Sequence, residues 1–254
     1  MNVVKTAVLC LISAVGFSFC FLSVVQFAVF LYHSGSEQFN GVLCQERTTK
    51  DSSWVVSTII DVCLIVLFIL QHTLMASSWW KQIIHSTGFG VLTRSLYVIA
   101  TSLALQIVCS WWQPLFPCSP IWQFQVSPGS FSSFLCFAVH AISWLLVLAV
   151  CLTLDYAELM GVKQVYYSIL GLPSPLYQKS EEHRRLFQHF RHPLSSSLLV
   201  VLWFIPMMCW DRFLLASGFT LYLLLGHSLD TEDYDYLKEQ YELKEEQLWQ
   251  SRLR

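Results

Sequence analysis

Apolar residues in this chain come in long blocks, not in alternation. The blocks run over about 6–32, 54–76, 95–112, 131–154, 194–210 and 213–229. None shows the period of two that marks a strand, and each is apolar on all faces. That pattern predicts helices with lipid around them, and it argues against a membrane barrel. A hydrocarbon core of roughly 30 Å takes about 20 residues of helix to cross. The first four blocks meet that need or nearly so. Residues 194–210 and 213–229 are 17 residues each. That length gives about 25 Å at 1.5 Å per residue, and Pro206 falls inside the fifth block. The last pair is therefore either two short crossings or a re-entrant hairpin turning at Asp211 and Arg212. The predicted fold is all-α: a polytopic transmembrane bundle over 1–229 with six spans, or five plus a re-entrant hairpin. An acidic tail helix follows at 230–254.

Composition and charge strengthen this reading. Of 254 residues, 55% are hydrophobic and 13% charged, and mean hydropathy is +0.52. Soluble domains carry about a quarter charged residues. From Ser95 to Leu154 there is no Asp, Glu, Lys or Arg, a run that only a bilayer tolerates. A net charge of −2 leaves no basic footprint for nucleic acid. Under a six-span threading, Lys5, Lys81, Arg94, Lys163, Lys179, Arg184, Arg185, Arg191, Lys238, Lys244, Arg252 and Arg254 share one side. Arg47, Lys50 and Arg212 take the other. The bias places both termini in the cytosol or a compartment continuous with it. The first span has no clear cleavage site after it and reads as an uncleaved anchor.

Candidate chemistry is sparse. Most of the nine cysteines lie in or at the ends of spans and read as small hydrophobes. Cys44 and Cys118 lie in loops on the poorly charged side, where they are either two free thiols or a disulfide. Ionisable and amide groups inside spans draw attention because they are expensive there. Asp61 and His72, eleven positions apart, share a face of the second span with Gln71. His140 lies midway along the fourth span, and a hydrogen bond to a neighbouring helix is its plainest use. His227 and Asp230 close the sixth span, near enough in level to join His192 and Glu158. No metal-binding spacing, phosphate loop or nucleophile elbow occurs, so no metal and no cofactor is expected. DYAELMGVKQVYY at 155–167 reads as a watery extension of the fourth helix. Gly171, Pro173 and Pro175 then break the chain. Beyond Ser180, an interfacial amphipathic helix is expected around Leu186, Phe187 and Phe190. The tail holds eight acids and four bases, with Tyr234, Leu237 and Tyr241 at helical spacing.

Specific strings add what composition cannot. QHTLMA at 71–76, RSLYV at 94–98, HAISWLL at 140–146, DYAELMGVKQVYY at 155–167, RHP at 191–193 and GHSLD at 226–230 resemble the nurim family. That resemblance implies a multi-pass protein of the inner nuclear membrane. A wider likeness is to the isoprenylcysteine carboxyl methyltransferase group, which shares an R-H-P-x-Y-x-G stretch and a later acidic pair. Arg191, His192 and Pro193 match it. Ser195 and Ser197 stand where that group has Tyr and Gly, and no F-G follows Glu232 and Asp233. The likeness implies that Arg191 and His192 would hold S-adenosylmethionine, with Glu158, Asp230 or Glu232 near the methyl acceptor. An Arg can grip a carboxylate in bidentate fashion, and a carboxylate acceptor needs no general base.

The function expected from the sequence is thus an integral nuclear-envelope protein, structural or partner-binding without catalysis. Its partners would be the lipid bilayer and a nucleoplasmic protein met through the loop and tail. A membrane methyltransferase is the first alternative. A transporter using Asp61, His72 and His140 as a polar path is the second.

Overall fold

The computed structural model describes residues 3–39, 54–113, 120–124, 126–127, 129–180, 195–226, 238, 241–246 and 249. Helix α1 spans Val3–Phe39, α2 Trp54–Ala76, α3 Ser78–Ser86, α4 Thr93–Trp111 and α5 Phe131–Thr153. Two short helices follow, α6 at Tyr156–Leu159 and α7 at Val162–Ile169, and then α8 at Ser195–Trp203 and α9 at Trp210–Gly226. Strands β1, Trp122–Gln123, and β2, Met207–Met208, pair antiparallel. Helices α1, α2, α4 with the turn before it, and α5 are long and apolar enough to cross a membrane. The chain is therefore an all-α, multi-pass membrane protein.

Threading follows from packing. Leu9 of α1, Leu92 before α4 and Val165 of α7 form one small cluster, which sets the start of α1 beside the start of α4. This end of the bundle also carries Lys81, Arg94, Lys163 and Lys179; we call it the basic end. The far end holds Trp54, Trp111 and the β1–β2 ribbon. Between the two ends, Phe27, Leu64, Phe68, Val108, Leu202, Leu215 and Phe219 build the main core. Helices α1 and α4 pack along much of their length. Gly16 lets them close, with Ile99 and the Ser95 carbonyl just beyond where a Cβ would sit. Gln106 then donates to Ser23 across 2.9 Å.

Three expectations are corrected. Residues 194–210 do not form one helix: α8 stops at Trp203, and the chain leaves helical geometry through Pro206 before α9 begins. Pro206 has no N–H to give, so the turn falls at 204–209 rather than at Asp211 and Arg212. Those two residues instead lie in the first turn of α9, both buried. The second correction concerns Arg212, counted above as a loop cation: it is 3% exposed, inside the bundle. The third concerns 155–167, which do not prolong α5. Asp155 takes a left-handed conformation at φ 63° and caps α6, and Gly161 does so again at φ 86° before α7.

A backbone that leaves helix at membrane depth must find its partners inside the protein. The turn between α8 and α9 does so. Phe124 N–H donates to the Pro206 carbonyl at 2.9 Å and Ile121 N–H to Met208 at 2.7 Å. The Trp122 indole reaches the Ile205 carbonyl at 3.3 Å. The segment preceding α5 thus folds back to complete a broken helix.

Candidate functional site

The fold separates the intramembrane polar residues into distinct contacts. Asp61 is wholly buried in the second turn of α2, and its Oδ1 accepts the Gln113 N–H at 2.8 Å. That N–H lies just past the end of α4, so Asp61 ties the far ends of two spans together. Beside Asp211, Arg212 donates through Nη2 to the Val201 carbonyl at 3.4 Å. Val201 belongs to the last turn of α8, where carbonyls lack helical donors and a cation is favoured. Arg212 therefore caps the end of α8 from within the bundle, while Asp211 lies buried in the first turn of α9, where a carboxylate is favoured.

His140 serves the same break from α5. Its Nε2 lies 2.6 Å from the Phe204 carbonyl oxygen. A carbonyl only accepts, so this nitrogen carries the proton and donates. His140 thus contacts the backbone just past the end of α8.

Toward the basic end, His72 stands in an aromatic cluster. The Tyr97 hydroxyl of α4 lies 2.7 Å from its Nε2. Phe68 stacks on the ring at 5.7 Å between centroids, and Tyr222 of α9 meets it edge-on at 5.8 Å. Gln71 reaches Thr101 of α4 at 3.4 Å. His72 thereby joins three helices. Asp61 and His72 do share a face of α2, but buried Leu64 and Phe68 occupy that face between them. His140 sits elsewhere, on α5. Among the described residues these three groups serve separate contacts and do not line one path.

The loop 155–180 is pinned at the basic end. Arg94 Nε donates to the Leu159 carbonyl at 2.7 Å, and its guanidinium lies over the Tyr97 ring. Gly161 sits so near α4 that a Cβ there would lie 2.5 Å from Ser95 Oγ and 2.7 Å from its backbone nitrogen. Lys163 Nζ pairs with Asp155 at 2.5 Å, and Lys179 Nζ with Glu158 at 2.7 Å. The hydrogen bond from Lys163 holds the Asp155 carboxyl below its ordinary range and raises the lysine in return. Glu158, the one described acceptor-side candidate, is thus buried and engaged by a cation of its own loop.

Arg191, His192, His227, Asp230 and Glu232 lie outside the described residues, as do Cys44 and Cys118 and the helix expected after Ser180. Seven described cysteines are free thiols. Residues 241–246 of the tail are helical, with Tyr241 exposed. Sequence reasoning missed Arg212 as a buried cap, and with it Tyr97, Tyr222 and Lys179. The signal for Arg212 was Pro206: a proline that ends one helix leaves carbonyls needing donors nearby.

Comparison with known proteins adds the lineage. The chain is 48% identical over 197 residues to nurim of Rattus norvegicus, covering 77% of this chain and 74% of that one. It is 42% identical over 242 residues to nurim of Xenopus laevis, covering 94% and 84%. Against nurim of Danio rerio it is 38% identical over 241 residues, covering 91% and 87%. No family model and no solved structure matches. With identities of this order spread over most of each relative's length, the chain belongs to the nurim family.

Proposed function

We propose that this protein is a non-catalytic, multi-pass component of the inner nuclear membrane. Its basic end faces the nucleoplasm and offers the loop at 155–180 and the tail at 230–254 to protein partners. One observation carries the reading: among the described residues, three intramembrane polar side chains bond the backbone of neighbouring segments. Asp61, His140 and Arg212 each complete a backbone contact of a neighbouring helix. Glu158 pairs with Lys179 in its own loop. A site built for chemistry leaves groups poised toward a cleft instead. The nuclear location rests on the family likeness, and the orientation on the gathering of Lys and Arg at one end.

Selective permeabilisation tests the location. With the plasma membrane opened and the nuclear envelope intact, an antibody to a tag after Arg254 is expected to stay excluded. It should bind once the envelope is opened. Staining at the first stage would place the tail in the cytosol. Partner binding is tested by proximity labelling of the full chain and of a variant lacking 230–254. The expected result is a folded membrane domain that loses some nucleoplasmic neighbours, and an unchanged neighbour set would count against the tail.

A further inference from the structure

Helix α3 is the connector between α2 and α4, and its surface is sorted. In SWWKQIIHS, Trp79 and Ile83 stack one turn apart, as do Trp80 and Ile84. Lys81, Gln82 and His85 occupy the opposite side. Trp80 and Ile84 are partly covered by the bundle. Trp79 and Ile83 are not: they are 63% and 37% exposed, and Phe89 just beyond the helix is 43% exposed. We propose that α3 is an in-plane membrane anchor. Its Trp79–Ile83 edge, continued by Phe89, is seated at the boundary between headgroups and acyl chains at the basic end.

Continuity with the lipid-facing surface of α2 identifies the occupant. Leu70 and Leu74 are exposed on the last turns of that span, and exposed leucines on a crossing helix face acyl chains. The chain then turns within one residue. Ser77 Oγ donates to the Leu74 carbonyl at 2.6 Å and accepts the Trp80 N–H at 3.3 Å. The apolar edge of α3 therefore starts where the apolar surface of α2 stops, at the level where a span gives way to headgroups. Tryptophan favours that level because its ring is apolar and its N–H is polar. Lys81 and His85, on the other side, are placed among headgroups and water. The anchor also braces the aromatic cluster, since α3 joins the helix bearing His72 to the helix bearing Tyr97.

Site-specific photocrosslinking of the full chain tests this. A benzophenone amino acid replaces Trp79, Ile83, Lys81 or His85 in turn. Each variant is irradiated in vesicles of phosphatidylcholine and phosphatidylserine, and again in native nuclear membranes. Phospholipid adducts at 79 and 83 in both settings, with few or none at 81 and 85, are the expected result. Protein adducts at 79 and 83 in native membranes, no lipid adducts there, or equal lipid adducts at all four positions would overturn the proposal. Trp79→Phe gives a second reading that keeps the fold. It should reduce quenching of tryptophan fluorescence by lipids brominated near the headgroup more than by lipids brominated at chain ends. An unchanged quenching profile would overturn the proposal as well.

Discussion

His140 shows how a polar side chain earns a place inside a membrane protein without a ligand. It supplies the donor that the Phe204 carbonyl lost when α8 ended at Trp203. His140→Phe should lower stability by about 1 kcal/mol, the middle of the range for interhelical hydrogen bonds in membranes. The thermal midpoint in detergent measures this, and an unchanged midpoint would mean another donor takes over. Arg212 should matter more, because its loss leaves the Val201 carbonyl without this donor and the adjoining buried Asp211 without a neighbouring cation, at about 3–5 kcal/mol. Arg212→Met is expected to depress folded yield sharply. Asp211→Asn combined with Arg212→Met should recover part of it, as coupled residues do in a double-mutant cycle. His140 was legible from sequence because a lone imidazole in an apolar helix has few uses. Arg212 was not: Trp-Asp-Arg between two apolar runs looks like a turn, and only the broken backbone beside it reveals the cap.

At the scale of elements, the four long helices were plain from hydropathy, since a length of apolar residues specifies a crossing helix almost alone. The short pieces were not. DYAELMGVKQVYY has the composition of a helix, yet Asp155 and Gly161 turn it twice into positive φ. What decides the outcome is tertiary: the close seat of Gly161 on Ser95 and the reach of Arg94 to Leu159. Gly161→Ala should cost about 1–2 kcal/mol from the left-handed backbone alone. The clash with Ser95 adds to that. Ser95→Ala should rescue it only in part, because the Ser95 backbone nitrogen crowds the same space. The ion pair in this loop gives a pH dependence. Asp155 titrates below its ordinary value, so its contribution is present above the usual carboxylate range of about 4. It is lost as pH falls through the lowered value. Lys163 is raised, so its share is full below about 10.4 and is lost as pH rises through the raised value. Both side chains are partly exposed, at 27% and 33%, which keeps the effect below about 1 kcal/mol. Asn accepts both the left-handed backbone and the capping N–H. Asp155→Asn keeps the cap but loses the ion pair, so it should flatten the acid arm of a stability–pH profile by lowering neutral stability by up to about 1 kcal/mol while leaving acid stability unchanged. A profile that keeps its acid arm would assign that arm to other carboxylates.

Across the whole molecule, the fold divides labour between its ends. The far end repairs a broken helix with β1, Asp61, His140 and Arg212. The basic end builds a platform from α3, α6 and α7 over the starts of α1 and α4. Fold class was readable because solvent decides it. Assignment of roles was less so, because hydrogen bonds between spans join residues far apart in sequence, such as Asp61 and Gln113. The central proposal is that the intramembrane polar groups serve packing and that the protein works without a methyl donor. Thermal unfolding of the purified full chain with and without S-adenosylmethionine tests it most directly. A site of micromolar affinity would add about 2.7 kcal/mol at a hundredfold excess of donor over its dissociation constant. The expected result is an unmoved midpoint up to millimolar donor. A midpoint that climbs with donor concentration, and no longer climbs in Arg191→Ala, would contradict the account and restore the enzyme reading.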